Sequence, residues 1–185
     1  MGIYITSDLH FCHNKDFLYT PRGFQSIFEH DKAIIKNWNK VIKNDDLVYI
    51  LGDLMLNDDV QGRKNFNQLN GNKIIILGNH DTESRKLFYP HLRGVQDIKI
   101  ADIINYDNWS FYLSHYPVKL GSFNPDRKIN KTIYCLCGHT HTTDRWEDFE
   151  ECKSYHVELD AHNCFPINIT DIINDITNYK RSRNL

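Results

Sequence analysis

The chain has 185 residues, of which 41% are hydrophobic, 12% aromatic and 25% charged. That balance supplies one core and excludes a disordered polymer. Lys and Arg number 22 against 24 Asp and Glu, for a formal charge of −2, so no global positive field recruits a polyanion and a histone-like or coat-like DNA binder is excluded.

The first half reads as β-α-β-α-β. Ile3 to Thr6 is a short β-branched strand ending at Ser7-Asp8. Ser26 to Ile42 carries a helical stripe of Ile27, Ile34, Ile35, Trp38, Val41 and Ile42. Leu47 to Leu51 is a continuous apolar run closed by Gly52, the pattern of a strand buried on both faces. A weaker helix spans Asp58 to Leu69, and a second buried strand, Lys73 to Leu77, stops at Gly78. Such alternation makes a parallel sheet with crossover helices.

The second half changes character. Ile98 to Ile104, Trp109 to Leu113, Thr132 to Leu136 and Tyr155 to Leu159 read as strands, with Tyr106-Asp107-Asn108 as a hairpin loop. Gly121 to Lys131 reads as a surface loop, and Thr170 is expected to N-cap a last amphipathic helix. The length fits a single domain over residues 1–185, with 180–185 as a basic, frayed end. No apolar run approaches the roughly 18 residues of a membrane span, and the opening lacks the basic and apolar regions of a signal peptide. Five Cys (Cys12, Cys135, Cys137, Cys152, Cys164), an odd number at irregular spacing, fit reduced thiols in a cytoplasmic protein better than a disulfide framework.

Metal-ligand chemistry follows the predicted strands. They end at Asp8-Leu9-His10, Gly52-Asp53, Gly78-Asn79-His80-Asp81, Ser114-His115-Tyr116-Pro117 and Gly138-His139-Thr140-His141. In a parallel or mixed α/β sheet, residues just past the strand C-termini converge on one rim. Five segments thus deliver carboxylates, imidazoles and an amide oxygen to one place. Sets of oxygen plus imidazole suit Mn, Fe or Zn better than Mg or Ca. A carboxylate such as Asp53 can bridge two ions, the usual clamp for a phosphoryl group in an in-line displacement.

These blocks, in this order, resemble the calcineurin-like metallophosphoesterases from residue 3 to about residue 141, with a weaker echo at Asp160 and Pro166. Ser7 to Asn14 is similar to the opening of compact single-domain bacterial and phage members. The resemblance implies a four-layer α/β/β/α sandwich of two mixed sheets, with the metal site at the strand C-terminal rim. It implies Asp8, His10 and His141 on one metal, Asn79, His115 and His139 on the other, and Asp53 bridging. His80 would not be a ligand but would face the scissile phosphate and the leaving group.

Two departures stand out. Cys12 occupies a position where close relatives often have Gly. Leu54-Met55-Leu56 follows Asp53 without the nearby Asp that orients the catalytic His in many of these phosphatases, so that role falls open, with Asp81 adjacent.

The function expected is phosphodiester or phosphomonoester hydrolysis, with diesters favoured, by a water activated between two divalent ions. Mn is the favoured metal, with Fe, Zn or Ni as alternatives. The partner is a small phosphate ester or nucleotide, not a membrane. A nuclease acting on short RNA or DNA is the alternative, and a non-catalytic interaction module a more distant one. His13 and Asn14 are candidate substrate contacts. Tyr19, Arg22 and Lys119 are weaker candidates for a phosphate pocket, and His30, His91, His156 and His162 read as surface or packing residues. The Cys135-x-Cys137-x-His139-x-His141 alternation resembles a zinc site only superficially, because zinc loops use wider gaps; these thiols read as small core hydrophobes.

Overall fold

A computed structural model describes residues 1–119, 132–147, 149 and 153–184. The expected Gly121–Lys131 loop and Cys152 lie outside them. The first sheet contains β1 (Ile3–Thr6), β2 (Leu47–Leu51), β3 (Asn72–Ile76), β4 (Val95–Lys99) and β9 (Ile167–Asn168), in the order β4-β3-β2-β1-β9. β1 to β4 are mutually parallel and β9 is antiparallel to β1. The second sheet orders β5 (Asp102–Tyr106), β6 (Trp109–Leu113), β7 (Ile133–Cys137) and β8 (Ser154–His156) as β5-β6-β7-β8, with only the β5–β6 hairpin antiparallel. The α-helices described in full are α1 (Asp16–Tyr19), α2 (Ile27–Val41), α3 (Asp59–Phe66), α4 (Glu83–Lys86) and α5 (Ile169–Arg183).

The continuous apolar runs are explained by two cores. Val48 and Ile50 of β2 face Ile34, Trp38 and Phe66 of α2 and α3, while Tyr49 and Leu51 face the second sheet. A strand covered on both sides has no polar face to show. The core between the sheets sets Ile5, Leu51 and Ile76 against Phe111, Leu113 and Leu136, and Ile169, Ile172 and Ile176 of α5 pack into it. The result is the expected α/β/β/α sandwich of two mixed sheets.

Three local expectations are corrected. The strand-like stretch Ile98 to Ile104 is two strands rather than one: β4 ends at Lys99 in the first sheet and β5 starts at Asp102 in the second. The chain changes sheets at Ile100, which is largely exposed, with no Gly or Pro to announce it. The last helix is capped by Asn168, not Thr170; the Asn168 side chain accepts from the Thr170 backbone N–H. That helix continues to Arg183, so residues 180–183 form its last turn instead of a frayed end.

Candidate metal centre

Five segments leave the C-terminal ends of β1, β2, β3, β6 and β7 side by side. Backbone bonds stitch the first of them together: the Asp8 N–H donates to the Gly52 carbonyl at 3.1 Å and the His10 N–H to the Asp53 carbonyl at 2.9 Å. Asp8, His10, Asp53, His139 and His141 all hold positive φ, between 49° and 77°. Non-glycine residues rarely adopt that region, and clusters of it mark functional sites. Gly52 permits one of these turns. At φ 89° it lies so close that a Cβ would come within 2.6 Å of His115 Nδ1 and 2.7 Å of the Gly78 backbone.

Seven side chains converge. His10 Nε2 lies 3.1 Å from His141 Nε2, and both lie near Asp8 Oδ1, at 3.6 and 3.7 Å. His115 Nε2 lies 2.8 Å from Asn79 Oδ1 and 3.2 Å from His139 Nδ1. Asp53 Oδ2 stands between the two groups, 3.6 Å from His10 Nε2 and 3.6 Å from His115 Nε2.

Hydrogen bonds from the far nitrogens orient two of these rings. His115 Nδ1 donates to the Leu51 carbonyl at 2.8 Å, which turns Nε2 toward the Asn79 oxygen. His141 Nδ1 donates to Asp160 Oδ2 at 3.1 Å, which turns its Nε2 toward His10. Asp8 Oδ1 is buried without a hydrogen-bond partner, an arrangement that is costly unless a cation sits opposite. Two groups, Asp8-His10-His141 and Asp8-Asp53-His115, bring their ligand atoms within 4.8 Å of one another. Burial pushes the His10 imidazole down to about 3, against the pull of Asp8, so the ring is neutral. It pushes the Asp53 carboxyl up to about 6. The donors fit divalent ions of the Mn, Fe or Zn type.

His80 sits at the mouth. Its side chain is 42% exposed, its Nε2 is 3.9 Å from Asp53 Oδ2, and its ring meets that of His10 edge-on at 5.6 Å. Among the described residues no carboxylate other than Asp53 approaches the ring. The backbone is what is fixed: the His80 N–H donates to Asp53 Oδ1 at 2.9 Å, and its carbonyl accepts from Arg85 Nη1 at 2.7 Å. Asp81 turns away to bind the N–H groups of Asp53, Leu54 and Gly78 and the Tyr89 hydroxyl. It shapes the two loops that carry Asp53 and Asn79.

The weaker candidates separate. His13 is buried with Nδ1 3.2 Å from His10 Nδ1, supporting a ligand-type ring instead of facing outward, whereas Asn14 is exposed. Burial and His80 push the His13 imidazole down to about 4. Arg22 does not line a phosphate pocket; its side chain is 1% exposed and is bound by Asp160. Tyr19 bonds Asp16, and Lys119 and His91 are exposed. Cys135 and Cys137 are buried in β7 and belong to neither ligand group. His30, His156 and His162 are buried packing residues with hydrogen-bond partners. Only the echo at Asp160 hinted at its contact with His141; nothing in the spacing linked Arg22 to it.

A family model, the calcineurin-like phosphoesterase superfamily domain, matches residues 1–157. The chain belongs to that family. An uncharacterised protein of Methanocaldococcus jannaschii is 35% identical to this phosphoesterase over 142 residues, 71% of this chain and 81% of its own length. The gene 66 protein of a mycobacteriophage is 26% identical over 180 residues, 85% of this chain and 86% of its own. A solved structure of a protein of unknown function from Aquifex aeolicus superposes with a TM-score of 0.69 at 26% identity, covering 94% of this chain and 98% of that one. Metal-dependent hydrolysis of phosphoric esters is the chemistry of the family, and the ligand groups of this phosphoesterase fit it. No helix among its described residues is long and apolar enough to cross a membrane.

Proposed function

We propose that this phosphoesterase hydrolyses phosphodiesters at a centre of two divalent ions, Mn favoured. Asp8, His10 and His141 would hold one ion, Asn79, His115 and His139 the other, and Asp53 would bridge. The observation that carries the reading is Asp53 Oδ2, equidistant at 3.6 Å from a nitrogen of each group. When bound, such a pair supplies an activated water and neutralises charge on the phosphoryl oxygens. The remaining work belongs to the chain. Asp53 and Asp8 set the negative charge of the centre, and the Leu51 carbonyl and Asp160 fix the proton on the far nitrogen of His115 and His141. His80, free to reach outward, donates a proton to the departing alkoxide.

A diester is favoured over a monoester on charge. Among the described residues, the guanidinium that reaches a ligand-type ring, Arg22, is buried against Asp160, and Arg85 is engaged by Asp59 and the His80 carbonyl. Neither is available to grip the second charge of a terminal phosphate. The test is a panel of phosphomonoesters, cyclic nucleotides, dinucleotides and oligonucleotides, assayed with Mn²⁺ after chelator stripping. Turnover of diesters at least tenfold above monoesters is expected. A preference for monoesters would overturn the diester reading, and turnover confined to oligonucleotides would make the protein a nuclease.

A further inference from the structure

The two halves of the centre are anchored by different chemistry. On one side His115 Nδ1 donates to a neutral acceptor, the Leu51 main-chain carbonyl, at 2.8 Å. On the other, His141 Nδ1 donates to a carboxylate, Asp160 Oδ2, at 3.1 Å. Asp160 is buried at 7% side-chain exposure and takes two bonds from Arg22, Nε to Oδ1 at 3.0 Å and Nη2 to Oδ2 at 2.6 Å. Arg22 Nη2 lies 3.4 Å from His141 Nδ1 because both share that oxygen. The same Nη2 donates to the Asp8 main-chain carbonyl at 3.0 Å, and Nη1 lies 2.9 Å from His30 Nε2. One buried guanidinium therefore holds the backbone of Asp8 directly and the ring of His141 through Asp160.

We propose that the Arg22–Asp160 pair is a positioning device for the ion of Asp8, His10 and His141, and that it makes this ion the tighter of the two. The inference rests on the two-ion reading above. A carboxylate on the far nitrogen fixes the tautomer that presents Nε2, and it strengthens the imidazole as a donor more than a neutral carbonyl does. A buried ion pair is by itself weak evidence for stability, because desolvation consumes much of the attraction. The hydrogen bonds of this pair reach two ligand-type residues of one group, Asp8 and His141, and none of Asn79, His115 or His139.

The test is calorimetric titration of Mn²⁺ into chelator-stripped full-length protein, with electron paramagnetic resonance to tell lone from paired ions. The unsubstituted protein should load in two steps. Asp160→Asn should weaken one ion by about 10–100-fold and leave the other nearly unchanged. Its half-loaded form should give a lone-ion spectrum, and Asp160→Glu should restore part of the affinity. His141→Ala should lose the same ion, and adding Asp160→Asn to it should cost nothing more, because the two act as one unit. Arg22→Lys, which cannot hold Asp160 and the Asp8 carbonyl together, gives the same one-sided loss and serves if Asp160→Asn fails to fold. Asp46→Ala is the structural control: Asp46 accepts from Gly2 N and Lys43 N at the opposite ends of the strands, so it should lower stability without touching either affinity. Equal weakening of both ions, unchanged affinities, or additive losses would each overturn the proposal while leaving the two-ion reading intact. An unsubstituted protein that binds one ion only would remove both.

Discussion

The two sheets bring different chemistry to the same rim. Loops after β1, β2 and β3 of the first sheet deliver Asp8, His10, Asp53, Asn79 and His80, which include every oxygen donor of the centre. Loops after β6 and β7 of the second deliver only imidazoles, His115, His139 and His141. Neither set closes a site alone. The short contacts cross the seam: His10 to His141 at 3.1 Å, Asn79 to His115 at 2.8 Å, and the His139 backbone N–H to Asp8 Oδ2 at 3.0 Å. Geometry at the centre is therefore set by how the two sheets pack, not by either sheet's own ladder.

The strongest way to break this arrangement is at the one atom that faces both groups. Asp53→Asn replaces a carboxylate with an amide that bridges poorly. Turnover should fall by about 10³-fold or more, by analogy with the loss of a major electrostatic group in a low-dielectric site. Bound metal should drop from about two ions per chain toward one or none. Two tightly held ions in the variant would remove Asp53 from the bridging role.

Packing comes next. Leu136 of β7 is fully buried between the sheets, on the strand that leads to His139 and His141. Leu136→Ala should destabilise the fold by about 2–5 kcal/mol. Because the cavity lies in the seam, metal affinity should fall as well. An equal truncation on the helical side, Ile34→Ala, should cost stability with little effect on metal, since Ile34 packs α2 against the far face of the first sheet. If both truncations weaken metal binding equally, the seam has no special role.

His80 separates binding from chemistry. His80→Ala should keep both metals and lose about 10²-fold on an alkyl or nucleoside ester, the range expected of a positioned acid. It should lose much less on a nitrophenyl ester, whose leaving group needs no proton. Equal losses on both would point to charge stabilisation by an imidazolium instead, and loss of a metal would make His80 a ligand.

The first sheet was the more legible in the sequence. Leu47 to Leu51 is covered on both faces, so its composition carries the whole signal, and its predicted bounds match those of β2. Site residues were legible for a related reason, since each follows a strand end and the fold needs no further information to gather them. What escaped was long-range or featureless. Ile98 to Ile104 hides a change of sheet inside one strand-like stretch, because the turn at Ile100 and Ala101 uses no Gly, Pro or Asn. Arg22 and Asp160, 138 residues apart, form a pair that no periodicity encodes. Adjacency left the role of Asp81 open, and its carboxylate serves the backbone of its own loop and of the Asp53 loop.

The outer face of the second sheet offers the smallest effect and the sharpest contrast with its rim. Cys135 and Cys137 alternate with the buried Tyr134 and Leu136, so the thiols point away from the inter-sheet core. Cys137 Sγ lies 4.0 Å from His156 Nδ1 and 3.9 Å from the Tyr155 carbonyl, distances of packing rather than of ligation. The hydrogen bond with Cys135, and burial, hold the Cys137 thiol above its usual range. Past Gly138 the chain turns over, and His139 and His141 at φ 77° and 53° leave the strand's alternation for the metal rim. Sequence spacing therefore groups four residues that the backbone divides into two pairs. Replacing both cysteines with Ala should cost about 1 kcal/mol each, the scale of a small buried truncation. Metal content and turnover per folded molecule should stay nearly unchanged. Loss of one zinc per chain with the other ions retained would rejoin the pairs, and the second sheet would then hold a metal of its own.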